Sequence, residues 1–361
     1  MDAGGSKYQE KNRGRRRLTP TPETIIPNTA LPNSHFQDAF RTGCVNFSSG
    51  MHPIIPVRFR QSKYSPFEIH SRFHSGAETL RKEFDSRFED SVRADSKRFC
   101  WDFWNRGDQY RLLRTPAAGF FSNASYLPFL RQLTEWGREN LGCQMISHPW
   151  LSAYVDGCQQ RLHTDVPHGP FSFVFSLTRW KNRVFRGGET LLARPTLIRC
   201  LAETHDDTSH EESDLLEKIA PEFNRLTVFD PRFPHGVERV DGVPSILDSR
   251  LVIHGWFTEP RPMIEGSLGM KQALRPMDAF AGCVLERLSE YSHTGLLTLR
   301  LEINASGKPE SINVLSDHLL DGLGHRFDRK LLRSILLEAP VEFPRSRGRT
   351  RITLPLELRS S

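Results

Sequence analysis

Cysteine is scarce in this chain: six in 361 residues, at positions 44, 100, 143, 158, 200 and 283, with no Cys-x-x-Cys pair. That spacing excludes a zinc knuckle and a disulfide scaffold, and it suits a reducing compartment. Also missing is any apolar run near the ~20 residues that cross a bilayer. The arginines at 13 and 15 to 17 lead into Leu18, Pro20 and Pro22, where a secretory signal would carry its apolar core. The expectation is a soluble, cytoplasmic protein with no membrane partner. A large excess of one charge is lacking too. Of the net +6, the first 20 residues hold +4 through Lys7, Lys11, Arg13, Arg15, Arg16 and Arg17 against Asp2 and Glu10, so the remainder carries only +2. The basic run reads as a solvated terminus, and nucleic acid is not an expected partner. What the chain has is aromatic residues, 24 Phe and 6 Trp among them, a composition a disordered chain does not show. The length leaves room for about two domains of ~100 to 200 residues.

One short stretch carries chemistry, His163-Thr164-Asp165. In an extended strand the side chains at i and i+2 leave the same face, so this imidazole and carboxylate can grip one metal ion from a strand end. Downstream, Arg232-Phe233-Pro234-His235-Gly236-Val237 offers a second imidazole between apolar residues. Two histidines and one carboxylate with open coordination positions are the ligand set of non-haem Fe(II) oxygenases. A zinc hydrolase can use the same three groups. Arg250 then opens the strand-like run to Phe257. Its planar fork suits the far carboxylate of a dicarboxylate cosubstrate, which favours the oxygenase over the hydrolase. By period two, Arg250, Val252, His254 and Trp256 share a face, so His254 is expected beside the cosubstrate or the metal.

From Ala153 to Phe257 the order of these pieces resembles the Fe(II)/2-oxoglutarate dioxygenases of the prolyl-4-hydroxylase-like superfamily. The pieces are Ala153-Tyr154 before a Gly-containing turn, His163-x-Asp165, the strand Phe171 to Leu177, Gly187-Gly188-Glu189-Thr190-Leu191, His235-Gly236-Val237, and Arg250 six residues ahead of Trp256. A longer gap between His235 and Arg250, filled by Asp241-Gly242-Val243-Pro244-Ser245, departs from the pattern and reads as an enlarged hairpin loop. The resemblance implies Fe(II) on His163, Asp165 and His235. It implies 2-oxoglutarate on Arg250 with the Tyr154 hydroxyl beside it, O2 as co-reactant, and ascorbate as a candidate reductant. The implied reaction couples decarboxylation of 2-oxoglutarate, to succinate and CO2, with hydroxylation of a C–H bond. Peptidyl proline is the leading substrate, and a free amino acid or small metabolite is the alternative. Halogenation is disfavoured, because related halogenases replace the position of Asp165 with a small residue. His168 and the segment Trp180 to Arg183 fall near the pocket mouth. A non-catalytic binding protein on a retained oxygenase fold is the reading of another class.

Along the chain, residues 1–60 mix charge, proline and small polar residues, and read as an arm with at most a short docked segment at His35 to Phe47. Residues 61–260 form the expected dioxygenase domain. Its helical support spans 75–142: Leu80, Phe84, Phe88 and Val92 recur every four residues, and a second helix runs from Ser122 or Asn123 to a stop at Gly142. Aromatic residues cluster between them at Phe99 to Trp104, and a strand ends at Pro116. The many short strands of 148–258 indicate a sandwich or barrel. The resemblance implies the double-stranded β-helix, a jelly-roll variant, so the fold class expected is mainly β with flanking helices. An acidic segment at 203–222 reads as loop or partly helical. After a linker at 261–277, residues 278–361 are expected to form a small α+β domain away from the iron. Its order of helix, β-hairpin, helix and strand resembles the C-terminal domain of TonB-like proteins and suggests a protein-binding role.

Overall fold

The computed structural model describes residues 55–60, 65–89, 102–106, 109–202, 210–339 and 341–359. The arm up to residue 54 with its expected docked segment, the start of the aromatic cluster and residues 203–209 of the acidic segment lie outside them. Strands β1 (Val57–Phe59) and β2 (Phe67–Ser71) precede helix α1 (Ala77–Phe88). A hairpin of β3 (Asp102–Arg106) and β4 (Tyr110–Pro116) leads to α2 (Ala117–Phe120) and α3 (Asn123–Leu141). Then come β5 (Cys143–Ile146), β6 (Trp150–Tyr154), β7 (Gln159–His163), β8 (Phe171–Ser176) and β9 (Thr190–Ala193). These are followed by α4 (Pro195–Ala202), α5 (Glu212–Leu215), β10 (Leu216–Ile219), β11 (Arg225–Phe229), β12 (His235–Val237) and β13 (Arg250–Pro260).

Eight of these strands make the jelly roll. In one row β6, β13, β8 and β11 are hydrogen-bonded in that order, and in the other β7, β12, β9 and β10. Strand β4 joins the rows by pairing with both β6 and β7. The alternation of side chains decides what each face meets. On β13, Leu251, Ile253 and Phe257 share a buried cluster with Phe171, Phe173 and Phe175 of β8 and with Leu80, Phe84, Phe129 and Leu133 of α1 and α3. Val252, on the alternate face, packs with Leu112, Tyr154, Val237 and Val240, the inner filling of the roll. Helix α3 ends at Gly142, whose φ of +70° is the left-handed stop the sequence signalled. The charged-looking α1 hides a buried pair: Arg81 is fully buried, donates to Asp85 at 2.8 Å and caps the Leu177 carbonyl at 3.0 Å.

The C-terminal sheet is separate, with order β1-β16-β15-β17-β14, built from β14 (Met263–Gly266), β15 (Gly295–Ile303), β16 (Pro309–Asp317) and β17 (Thr350–Leu358). Helices α6 (Met270–Ser289) and α7 (Arg329–Glu338) bury Phe280, Val284, Leu332 and Ile335 in its core. Two expected boundaries are corrected. Residues 261–277 are not a linker: Met263 to Gly266 pair with β17, and Met270 onward is helix, where Ala273 and Met277 are buried. The charge and prolines of that segment masked a short apolar pattern. Nor does the arm reach residue 60, because Val57 to Phe59 pair in parallel with Ile312 to Val314, with Val57 3% exposed. The prolines at 53 and 56 hid this edge strand. The expected second unit also touches the first, since the Thr298 hydroxyl donates to the Leu141 carbonyl at 2.8 Å and Arg300 to that of Glu139 at 2.7 Å. Within the acidic segment, Glu212 to Leu215 is helical, and Leu216 to Ile219 is a strand that the reading of 203–222 as loop or helix missed. Among the described residues no helix is long and apolar enough to cross a membrane.

Candidate active site

His163 ends β7 and His235 begins β12, and the two are direct antiparallel partners, so their side chains leave one face. The register slips between His235 and Val237, a bulge of the kind that re-aims a side chain. Gly236 makes the close approach there feasible, since a Cβ would lie 2.5 Å from the Gln160 carbonyl oxygen. Asp165 follows β7 by two residues, and its amide donates to the Pro231 carbonyl at 3.1 Å. One donor atom from each of His163, Asp165 and His235 lies within 4.8 Å of the others, a group that could hold a metal ion.

The hydrogen bonds orient these groups. Nδ1 of His163 is 2.8 Å from the Arg161 carbonyl and Nδ1 of His235 is 3.0 Å from that of Phe233, so each ring places its N–H there and turns Nε2 toward Asp165. Nε2 of His235 stands 3.3 Å from Oδ2 of Asp165, and Nε2 of His163 stands 3.7 Å from Oδ1. A neutral imidazole has a single N–H, already used at Nδ1, so a cation between Nε2 and the carboxylate completes the set. Neighbouring ligands ~2.1 Å from one ion are separated by roughly 3 Å, close to these spacings. Burial, then the adjacent His235, lowers the His163 pKa and favours the neutral, metal-binding form. Burial alone would raise that of Asp165, but the close imidazole of His235 and the neighbouring His163 and His168 outweigh it and hold the carboxyl below its ordinary value. Phe229 and Tyr110 set ring edges against His235 and His163 at 4.8 and 5.1 Å.

Arg250 is 1% exposed. Its Nε donates to the Gly188 carbonyl at 2.7 Å and its Nη2 to the Thr190 hydroxyl at 3.0 Å, while Nη1 has no hydrogen-bond partner among the described residues. A buried guanidinium N–H left unmade is costly, which fits a carboxylate acceptor at this point. Tyr154 pairs with Arg250 across the β6–β13 ladder, and Cζ of Arg250 lies 4.5 Å from its ring centroid. The Tyr154 hydroxyl donates to Oε1 of Gln160 at 2.8 Å, and burial pushes its pKa up to about 12, so it stays protonated. His254 faces the same interior, with Nε2 2.8 Å from the Ser152 hydroxyl. It feels the charges of Arg250, Asp165 and His163 together, so it lies near both the cation and the histidine–carboxylate group.

Burial first and Arg250 second push the His254 pKa down to about 4 from its ordinary 6.5. Protonating this ring is harder in the folded than in the unfolded chain, so His254 subtracts stability as the pH falls from 6.5 toward 4. Between pH 6.5 and 5 the loss attributable to it is about 2 kcal/mol. The metal-free His254→Gln protein should therefore show a flatter fall of its urea midpoint over that interval than the parent. Equal slopes would show that the ring is protonated as easily when folded.

The sequence thus named all six of these side chains, and the fold brings them to one interior. It did not name their partners. Thr190 and Gly188 belong to the Gly187 to Leu191 motif, which was a usable signal, whereas nothing local marks Gln160 or Ser152. Arg114 was also missed: it pairs with Ser152 across β4 and β6, lies 4.0 Å over the Trp150 ring, and adds its charge to the surroundings of His254 and Tyr154. At the expected mouth, His168 stacks on Trp256 at 4.5 Å, and Arg183 lies 3.7 Å over the buried Trp180 ring.

Residues 149–258 match the profile of the 2OG-Fe(II) oxygenase superfamily. Among solved structures, a prolyl-4-hydroxylase from Pseudomonas putida is similar over 54% of this chain and 92% of its own, at 17% identity and a TM-score of 0.37. A prolyl hydroxylase from Trichoplax adhaerens, in complex with an oxygen degradation domain peptide fragment of hypoxia inducible factor, is similar over 54% and 83%, at 14% identity and a TM-score of 0.36. HygX from Streptomyces hygroscopicus, with nickel and 2-oxoglutarate bound, is similar over 53% and 81%, at 11% identity and a TM-score of 0.35. No curated protein matches the chain. The profile match encloses the three metal-capable side chains and Arg250, so this part of the chain, residues 149–258, is similar to the 2OG-Fe(II) oxygenase superfamily, whose members work with Fe(II), 2-oxoglutarate and O2.

Proposed function

We propose that the protein is a dioxygenase that hydroxylates a C–H bond, with His163, Asp165 and His235 holding Fe(II) and Arg250 holding the 5-carboxylate of 2-oxoglutarate. The observation that carries the reading is the unpartnered Nη1 of fully buried Arg250, on the interior shared by the metal-capable group. When bound, the iron supplies the activation of O2 that turns substrate, 2-oxoglutarate and O2 into hydroxylated substrate, succinate and CO2. The chain's own groups do the positioning. The Arg161 and Phe233 carbonyls hold the two imidazoles by their Nδ1 protons, and Asp165 contributes one negative charge. Arg250, braced by Gly188 and Thr190, presents its Nη1 amino group to the cosubstrate, with protonated Tyr154 beside it. Neutral His254 stands near them without adding a second positive charge there.

The substrate we propose is a peptidyl proline. An open groove of about 350 Å³ borders the Val166 to Pro170 loop that follows Asp165; it is lined also by Asp230, Arg232 and His318 and by none of the metal-capable side chains, so an extended substrate could lie there only on its way past the loop. A cytoplasmic location belongs to the same proposal, because Fe(II) and the buried thiols of Cys143 and Cys158 both suit a reducing compartment. The test is to incubate the Fe(II)-loaded protein and 2-oxoglutarate with cell-extract proteins or with a metabolite pool, and to search by mass spectrometry for the gain of one oxygen. Oxygen found only in small molecules would end the peptidyl reading while leaving a dioxygenase, and no succinate under any condition would end both.

A further inference from the structure

One cluster outside the barrel interior ties the loop behind the metal-capable group to the C-terminal sheet. Asp230, just past β11 and 1% exposed, is gripped by Arg232, with Nη2 2.6 Å from Oδ2 and Nε 3.0 Å from Oδ1. His318 adds its Nδ1 at 3.4 Å from Oδ2. Burial alone would raise the Asp230 pKa, but hydrogen bonds from His318 and Arg232, and then their charges, hold the carboxyl far below its usual range. The same guanidinium crosses to the other sheet, donating from Nη1 to the Thr294 carbonyl at 2.9 Å and from Nη2 to that of His318 at 2.7 Å. Gly295 keeps the berth open: at its φ of +125° a Cβ would lie 2.1 Å from the His318 carbonyl oxygen and 2.8 Å from Nη2 of Arg232.

The loop so anchored supplies the carbonyls that orient two of the three metal-capable residues. Pro231 accepts from the amide of Asp165 at 3.1 Å, and Phe233 holds Nδ1 of His235 at 3.0 Å. We propose that the C-terminal domain is a structural part of the metal centre, with Arg232 as a positioning residue that sets, through this loop, where Asp165 and His235 present their donor atoms. The inference rests on the metal reading above. Groups behind the ligands fix ring tilt and ligand direction, and their loss typically costs 10–100-fold in metal affinity.

The test uses the full chain and Co(II), whose visible absorption reports ligand geometry without turnover. Arg232→Lys keeps a cation on Asp230 but cannot span both carbonyls, and it should weaken Co(II) binding about tenfold and shift the absorption bands. Leu332→Ala, deep in the C-terminal core, should lower the melting temperature yet leave the affinity and the bands as in the parent. Parental affinity and bands in Arg232→Lys would overturn the inference while the metal reading stands. An equal loss in Leu332→Ala would also overturn it, by assigning the effect to general stability. A parent that binds no Co(II) or Fe(II) would instead remove the metal reading itself.

Discussion

Alanine at His235 is expected to lower succinate release from 2-oxoglutarate by at least about a hundredfold, the upper range for losing only an outer-shell partner. His235 and His163 aim Nε2 at the two oxygens of Asp165 from 3.3 and 3.7 Å, so removing one imidazole leaves a two-point site open on one side. The fold should survive. Besides its contact with Asp165, His235 makes one side-chain hydrogen bond to a backbone carbonyl, worth about 1 kcal/mol, and the β12 ladder does not depend on its ring. Far-ultraviolet circular dichroism should therefore match the parent, while Fe(II) affinity and turnover fall together. Undiminished succinate release would exclude His235 from the ligand set, and a collapsed spectrum would mean that its ring supports the β12 turn.

Arg250→Lys should raise the Michaelis constant for 2-oxoglutarate by about 10–100-fold with Fe(II) affinity unchanged. The estimate follows from one hydrogen bond to a charged group, worth about 1.5–3 kcal/mol. The guanidinium serves three directions at once: Gly188 through Nε, Thr190 through Nη2, and the barrel interior through Nη1. An ammonium on a four-carbon stem keeps the charge and loses the fork, so it can satisfy the interior or its braces but not both geometries. Stability should fall as well, since the Gly188 carbonyl would be left buried without its donor. An unaltered constant would mean that another cation holds the cosubstrate. Arg239 is paired with Asp241 near the surface and Arg183 lies on Trp180, which makes Arg114 the next residue to replace.

The chemistry of this chain was legible because it is written at short range. Arg250 and His254 are four apart on β13, where the period of an extended chain puts them on a common face; His163 ends β7 and Asp165 lies two residues beyond it in the following turn, so there the short spacing, not strand alternation, kept the pair together. Helix α3 was equally legible, with its apolar stripe and Gly142 stop. Weaker signals failed where a segment is short and borrows its order from a distant partner. Val57 to Phe59 is three residues directly after Pro56, with Pro53 just upstream, and is a strand only because β16 lies beside it; Met263 to Gly266 depends in the same way on β17.

What the sequence by itself determined, then, is the metal-capable group and the buried arginine, and the local elements that carry them. Tertiary structure alone decided what those groups touch. Nothing in the sequence joins Tyr154 to Gln160 across the β6–β7 turn, leaves Nη1 of Arg250 without a partner among the described residues, or sends Arg232 to carbonyls 62 and 86 residues away. The physical reason is that hydrogen-bond partners and buried charge pairs are set by how sheets and loops pack. A residue's type and its near neighbours fix its capacity to bond, but a fold must be complete before that capacity has a direction.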